Sequence, residues 1–100
     1  YYDSILLAHV IEHMQKTTAI KLIKEYLPYL KRTGQIIVIC PQKKGYLSDS
    51  THRTFYNRND IAKIIEDLGL KITQKQSFPF PEKVGDFFKY NEYVVVGEKI

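Results

Sequence analysis

Ser4–His13, SILLAHVIEH, carries two competing signals. Ser4–Val10 is a short, nearly continuous apolar run, the pattern of a strand buried on both faces. Overlapping it, His9-x-x-Glu12-His13 has a spacing that would place three side chains on one helix face. Inside a long helix, H-x-x-E-H is the signature of the inverzincin metalloproteases. The strand reading prevails. A strand-to-helix corner after Val10 separates His9 from Glu12 and His13. Neither Glu82, in a loop, nor Glu92, in a strand, supplies the third ligand that such a protease takes from a downstream helix.

Downstream, TTAIKLIKEYLPYLKRTG (17–34) places Ala19, Ile20, Ile23, Leu27 and Leu30 at helical spacing. Thr17 or Thr18 is expected to cap its start and Gly34 to provide a left-handed stop. Pro28 is expected to kink or tighten the last turn. QIIVIC (35–40) is the clearest strand, again continuous rather than alternating, and Pro41 ends it. Residues 41–56 have no regular period and form a long polar loop, a feature more often functional than accidental.

NRNDIAKIIEDLG (57–69) predicts a second amphipathic helix, with Asn57 or Asn59 as cap, an Ile61/Ile64/Ile65/Leu68 stripe and Gly69 as stop. LKITQKQSF (70–78) alternates like a half-exposed strand. PFPEKVGDFFKYN is an irregular connection, and EYVVVGEK (92–99) is a last strand. Phe78, Phe80, Phe87 and Phe88 around that connection are expected to be mainly core. The order β-α-β-α-β-β predicts an α/β fold with parallel strands and right-handed crossovers, closed by an antiparallel pair.

One hundred residues allow one domain and one modest core. The formal net charge is +4, but the lysines are scattered, so dedicated nucleic-acid binding is not expected. An RNA-binding module would also need aromatic stacking positions on an exposed sheet face, which Ile/Val-rich strands do not offer. Cys40 is the sole cysteine, which excludes a disulfide framework and points to a buried thiol and a reducing, cytoplasmic compartment. No apolar stretch is long enough for a membrane span.

YDSILLAHVIEHM, then YLPYLKRTGQIIVICP, then DSTHRTFYNRNDIAKIIEDLGL together resemble the C-terminal half of class I S-adenosylmethionine-dependent methyltransferases. Lys31-Arg32-Thr33-Gly34 stands where that family has a proline–glycine turn, and Leu70 follows Gly69 where it has phenylalanine. The resemblance implies a partial Rossmann-like methyltransferase sheet over residues 1–100, with strands ordered first, second, fourth, third. It implies S-adenosylmethionine as cofactor and methyl transfer to an O, N or C acceptor on a small molecule or macromolecule. The glycine-rich turn and ribose-binding acid that hold the cofactor in this family have no counterpart here. The N-terminal half is thus expected to be missing and the fragment to be inactive alone. Its first strand would leave an open sheet edge, which should pair with the missing half or with a second copy as a dimer. A non-catalytic half-domain that pairs with another chain is the alternative.

By the same resemblance, Ala8, His9 and Val10 end a strand beside the cofactor, with His9 either lining the site floor or purely structural. In open α/β sheets, ligands sit beyond the carboxyl ends of the parallel strands. His13, Tyr46, Asp49 and Phe55 are therefore the substrate-facing candidates. His52 is the candidate general base, with a loop-anchoring role as its alternative. Some methyltransferases carry E-x-x-E-H at this corner and bind a divalent ion there. Here His9 replaces the first carboxylate and His52 lies in the loop that would face the corner, which tilts any such site towards zinc or manganese rather than magnesium, and no metal is assigned from the sequence.

Overall fold

The computed structural model describes residues 1–100. Strand β1 (Tyr2–Ala8) turns through a single 3₁₀ turn at Ile11–His13 into helix α1 (Lys16–Tyr26). Strand β2 (Leu30–Pro41), the short helix α2 (Lys43–Leu47) and helix α3 (Arg58–Asp67) follow. Strands β3 (Leu70–Phe78) and β4 (Glu92–Lys99) close the chain. The four strands form one sheet in the order β1-β2-β4-β3. Strand β1 is parallel to β2, while β4 runs antiparallel to both β2 and β3. Strands β1, β2 and β3 therefore share one direction, and β4 is inserted between the last two. Fold class and strand order are those expected from the sequence.

A single core cluster joins Ala19 and Ile23 of α1, Ile61, Ile64 and Ile65 of α3, and Ile36, Val38, Cys40 and Val95 of the sheet. Strand neighbours alternate between faces, so both helices cover the same face. Strand β1 corrects the expectation of a doubly buried strand. Its Ile5 and Leu7 pack against the core, whereas Leu6, on the opposite face, is 60% exposed. Strand β2 likewise buries Ile36 and Val38 fully but leaves Ile37 and Ile39 only half-buried. An apolar run identifies a strand able to be covered twice, but the second cover must come from other residues, and these 100 supply only one helical layer.

Helix α3 begins at a capping box: Asn57 Oδ1 accepts from the Asp60 amide at 2.8 Å, and Asp60 Oδ2 accepts from the Asn57 amide at 3.1 Å. It stops at Gly69, which has φ +93° and so occupies the left-handed region expected of it. The ends of α1 differ from expectation. Its cap position is Gln15, with no side-chain cap, and Thr17 and Thr18 lie inside the first turn. The 3₁₀ corner delivers an extended chain at Met14 and Gln15, so the helix starts before the threonines can cap it.

Pro28 tightens the end of α1 as expected, sitting at the start of a 3₁₀ turn at Leu27–Tyr29 where its missing N–H is not needed. The helix has therefore already ended before Gly34, which is not a left-handed stop but part of β2. Thr33, at φ 65°, takes the left-handed conformation instead. Gly34 serves a close approach, since a Cβ there would lie 2.7 Å from Leu30 Cδ1.

The segment between β3 and β4 is organised by the buried Asn91. Its Nδ2 donates to the Phe80 and Pro81 carbonyls at 3.0 and 3.1 Å, and its Oδ1 accepts from the Phe80 amide at 2.8 Å. With this backbone held by polar contacts, the aromatic side chains are not needed as core. Phe78, Phe80 and Phe87 are exposed and Phe88 is intermediate, contrary to expectation. No helix is long and apolar enough to cross a membrane.

Candidate functional site

The register aligns the carboxyl end of β1 (Ala8, opposite Ile39), that of β2 (Pro41, opposite Glu92) and that of β3 (Phe78, opposite Glu92) with the start of β4. Everything expected to be functional lies at this end of the sheet. His9 leaves β1 with φ 59°, while its amide still donates to the Ile39 carbonyl at 3.0 Å. Histidine reaches the left-handed region more readily than most residues. This sharp corner turns the Ile11–His13 segment back over the end of the sheet.

The backbone of that corner anchors the long loop. The Glu12 carbonyl accepts from the amides of Arg53 (2.7 Å) and Thr54 (3.2 Å), and Thr54 Oγ1 donates to the Met14 carbonyl at 3.0 Å. Residues 48–56 are thereby folded over the corner, bringing His52 to His13 with ring centroids 4.7 Å apart. All three histidines of the chain now surround one carboxylate. Glu12 Oε2 lies 3.6 Å from His9 Nδ1, 3.9 Å from His13 Nε2 and 4.0 Å from His52 Nε2. Glu12 is 1% exposed, and apart from the Cys40 thiol neither of its carboxylate oxygens has a hydrogen-bond partner.

The outer nitrogen of each ring is engaged by another group. His9 Nε2 meets the Glu92 carboxylate. His13 Nδ1 lies 3.1 Å from Thr51 Oγ1, whose own hydroxyl donates to Asp49 Oδ1 at 2.7 Å. His52 Nδ1 lies 2.7 Å from the Tyr46 carbonyl. Asp49 also accepts from the Thr51 amide at 2.9 Å, and its other oxygen lies 3.7 Å from His52 Nε2. These Thr51 hydrogen bonds, the backbone one first, hold the Asp49 carboxyl below its ordinary pKa. Burial, and then the Glu12 charge, push the Cys40 thiol well up, so Cys40 is an inert neighbour of this carboxylate.

His9, His13, Asp49 and His52 line an open cleft of about 270 Å³, with Lys89 and Tyr90 on its far wall. Tyr46 and Phe55 do not line it. Tyr46 stacks on His52 at 5.4 Å and meets Phe55 edge-on at 5.5 Å, so both support the loop from below. Ala8 and His9 are exposed and Val10 is half-buried, on the open side of β1. A larger concavity of about 450 Å³ lies at the opposite end of the strands, between Lys24, Leu27, Leu68 and Lys99. There the Lys99 ammonium is committed to the Leu27 and Leu30 carbonyls at 2.8 and 2.7 Å.

The sequence does not single out Glu92 or Thr51 as partners of the histidines, and Glu12 holds the loop through its backbone carbonyl. The unexplained acid at the start of a strand was the one available signal for Glu92, and it is uninformative until the β2–β4 register is known.

No family model and no curated protein matches the sequence. Solved structures do match. A S-adenosylmethionine-dependent methyltransferase from Archaeoglobus fulgidus superposes with TM-score 0.80 at 16% identity, over 99% of this chain and 60% of its own. The magnesium protoporphyrin IX methyltransferase from Synechocystis PCC 6803, crystallised with bound S-adenosylmethionine, gives 0.67 at 17% identity, over 99% and 39%. The 1,6-didemethyltoxoflavin N1-methyltransferase from Burkholderia thailandensis, with S-adenosylhomocysteine bound, gives 0.71 at 11% identity, over 97% and 43%. The chain thus has part of the Rossmann-like methyltransferase fold and spans 39–60% of the length of these structures.

Proposed function

We propose that this chain is the C-terminal half of a class I S-adenosylmethionine-dependent methyltransferase domain, which transfers the cofactor's methyl group to an O, N or C acceptor. One observation carries this reading. A parallel β-α-β unit is closed by an antiparallel insertion in the order β1-β2-β4-β3, and nearly the whole chain superposes on methyltransferase structures. Methyl transfer is an in-line displacement at carbon, so the protein's main contribution is to hold nucleophile and methyl donor in near-attack geometry.

In this reading the open side at Ala8, His9 and Val10 faces the cofactor, which the N-terminal half would chiefly hold. His13 and Asp49 face the acceptor across the cleft. Tyr46 and Phe55 act through the loop that they support. His52 is the proton acceptor for an acceptor group that is protonated at neutral pH. With Nδ1 donated to the Tyr46 carbonyl, Nε2 is the nitrogen left to accept. The exposed outer face and edge of β1, where Tyr2 is 64% exposed, also favours the second reading, a half-domain that pairs with another chain without catalysis.

Equilibrium dialysis with radiolabelled S-adenosylmethionine separates the two. It should be run on residues 1–100 and on the longest natural polypeptide that contains them. The methyltransferase reading expects a roughly micromolar to millimolar dissociation constant for the longer polypeptide, the span usual for enzyme substrates. Binding should be displaced by S-adenosylhomocysteine and be much weaker for residues 1–100 alone. Absence of binding by the longer polypeptide would overturn it, and a stable dimer of that non-binding polypeptide would establish the pairing module.

A further inference from the structure

We infer that the segment joining β3 to β4 is a docking surface for an anionic lipid bilayer, on which the chain rests through exposed aromatic rings flanked by unpaired lysines. The attachment is peripheral, with no element crossing the bilayer, and it does not depend on the methyltransferase reading.

Residues 78–90 keep much apolar surface outside the core. Phe87 is 83% exposed, and Phe78, Phe80 and Tyr90 are exposed with it. Single exposed apolar side chains need no explanation, but a group of them marks an interaction site. These rings stand on a fixed base. The Val84 carbonyl accepts from the amides of Phe87 (3.0 Å) and Phe88 (2.8 Å). Ser77 Oγ donates to the Phe80 carbonyl at 2.6 Å and accepts from Asn91 Nδ2 at 3.0 Å. Gly85 lies directly against the buried Gln42 side chain, where a Cβ would not fit. Buried polar groups therefore order the backbone before anything docks, and docking costs little further ordering.

Charge decides the occupant. Lys83 and Lys89 belong to the same segment, while Lys43 and Lys44 lie on α2, whose Gly45 packs against the Lys89 carbonyl. All four lysines are exposed, and none is ion-paired. The acids of the segment are Glu82, paired with Arg58 at 3.6 Å, and Asp86. Four free cations thus stand against one free acid. Leu47, at the end of α2, is 68% exposed and adds an aliphatic side chain. Rings interspersed with lysines suit the interfacial layer of a bilayer. The rings enter the boundary between headgroups and acyl chains while the ammonium groups stay with the lipid phosphates. Anionic headgroups supply the complementary charge.

A nucleic acid fits this surface less well. Stacking platforms offer ring faces to successive bases and draw on arginine. Here Phe80 meets Phe88 edge-on at 5.7 Å, and Phe88 meets Tyr90 edge-on at 5.6 Å, so the rings pack on one another. Lys89 Nζ covers one face of Tyr90, 5.0 Å from the ring centroid. The segment contains no arginine, and Leu47 has no face on which a base could stack.

The test is flotation of the longest natural polypeptide that contains residues 1–100 with vesicles of equal parts phosphatidylcholine and phosphatidylglycerol, set against vesicles of phosphatidylcholine alone. The expected result is binding to the anionic vesicles and little to the neutral ones. Binding should be lost as salt rises from about 0.1 M to about 1 M, which shortens the screening length from about 10 Å to about 3 Å. Phe87→Ser should weaken binding at least about tenfold, the effect of withdrawing one buried aromatic side chain. Lys43→Gln combined with Lys83→Gln should weaken it roughly 25-fold, at about fivefold for each lysine near an anionic surface. All three positions are exposed, so the variants are expected to keep the fold, which circular dichroism checks. Three results would overturn the proposal: no binding of the parent polypeptide to anionic vesicles, binding unchanged by both Phe87→Ser and the paired lysine variant, or tighter binding, at the same salt, to a single-stranded oligonucleotide that Phe87→Ser abolishes.

Discussion

Replacing Glu12 with glutamine should stabilise the protein. Glu12 is 1% exposed, and apart from the Cys40 thiol its oxygens lack hydrogen-bond partners, while the nearest nitrogens of His13 and His52 lie 3.9 and 4.0 Å away. The side-chain amide of glutamine keeps the shape, removes the charge and supplies two N–H groups that His13 Nε2 and His52 Nε2 can accept. Relief of an unsatisfied buried polar group is worth about 1–3 kcal/mol, and more for a charge. Taking about 2 kcal/mol, and a shift of roughly 4–8 °C per kcal/mol for a domain near 100 residues, Tm rises by roughly 8–16 °C. The assay is thermal unfolding at pH 7.5, followed by circular dichroism. A variant that melts below the parent would refute the reasoning. It would mean that Glu12 is already adequately hydrogen-bonded in the folded chain.

Asn57→Ala removes one arm of the capping box at α3 and should cost about 1 kcal/mol, read as a lower urea midpoint with unchanged slope. Cys40, buried and with its ionisation opposed by burial and by Glu12, should resist a thiol reagent at pH 8 in the folded protein and react at once in denaturant. Tyr93 has its phenol pushed up to about 12 by burial first and then by the Glu82 carboxylate. Because its folded pKa exceeds the unfolded value near 10, its contribution to stability is complete below about pH 10 and lost as pH rises towards 12. Absorbance at 295 nm should accordingly show the exposed tyrosines ionising first and Tyr93 only as the protein unfolds, and simultaneous ionisation of all eight tyrosines in a folded chain would contradict this.

The elements were legible because their signals are local. The β-branched run of β2, the Ile61–Leu68 stripe with its Asn57 cap and Gly69 stop, and the alternation of β3 each declare themselves within a dozen residues. Resemblance to the methyltransferases then supplied the strand order. The expectations that failed were those needing a neighbour. Whether β1 is covered twice depends on a second layer, whether Gly34 stops a helix depends on Pro28 having ended it first, and whether four phenylalanines are core depends on Asn91 holding the same segment by hydrogen bonds.

The site divides in the same way. The sequence by itself put His9, Glu12 and His13 at a corner and His52 in a facing loop, because residue types and spacing survive in one dimension. Only the tertiary structure decided that all three rings surround one buried carboxylate. That outcome depends on the Arg53 and Thr54 amides reaching the Glu12 carbonyl and on a β2–β4 register that sets Glu92 beside His9. Hydrogen-bond direction is a property of partners, and partners distant in the chain meet only once it has folded.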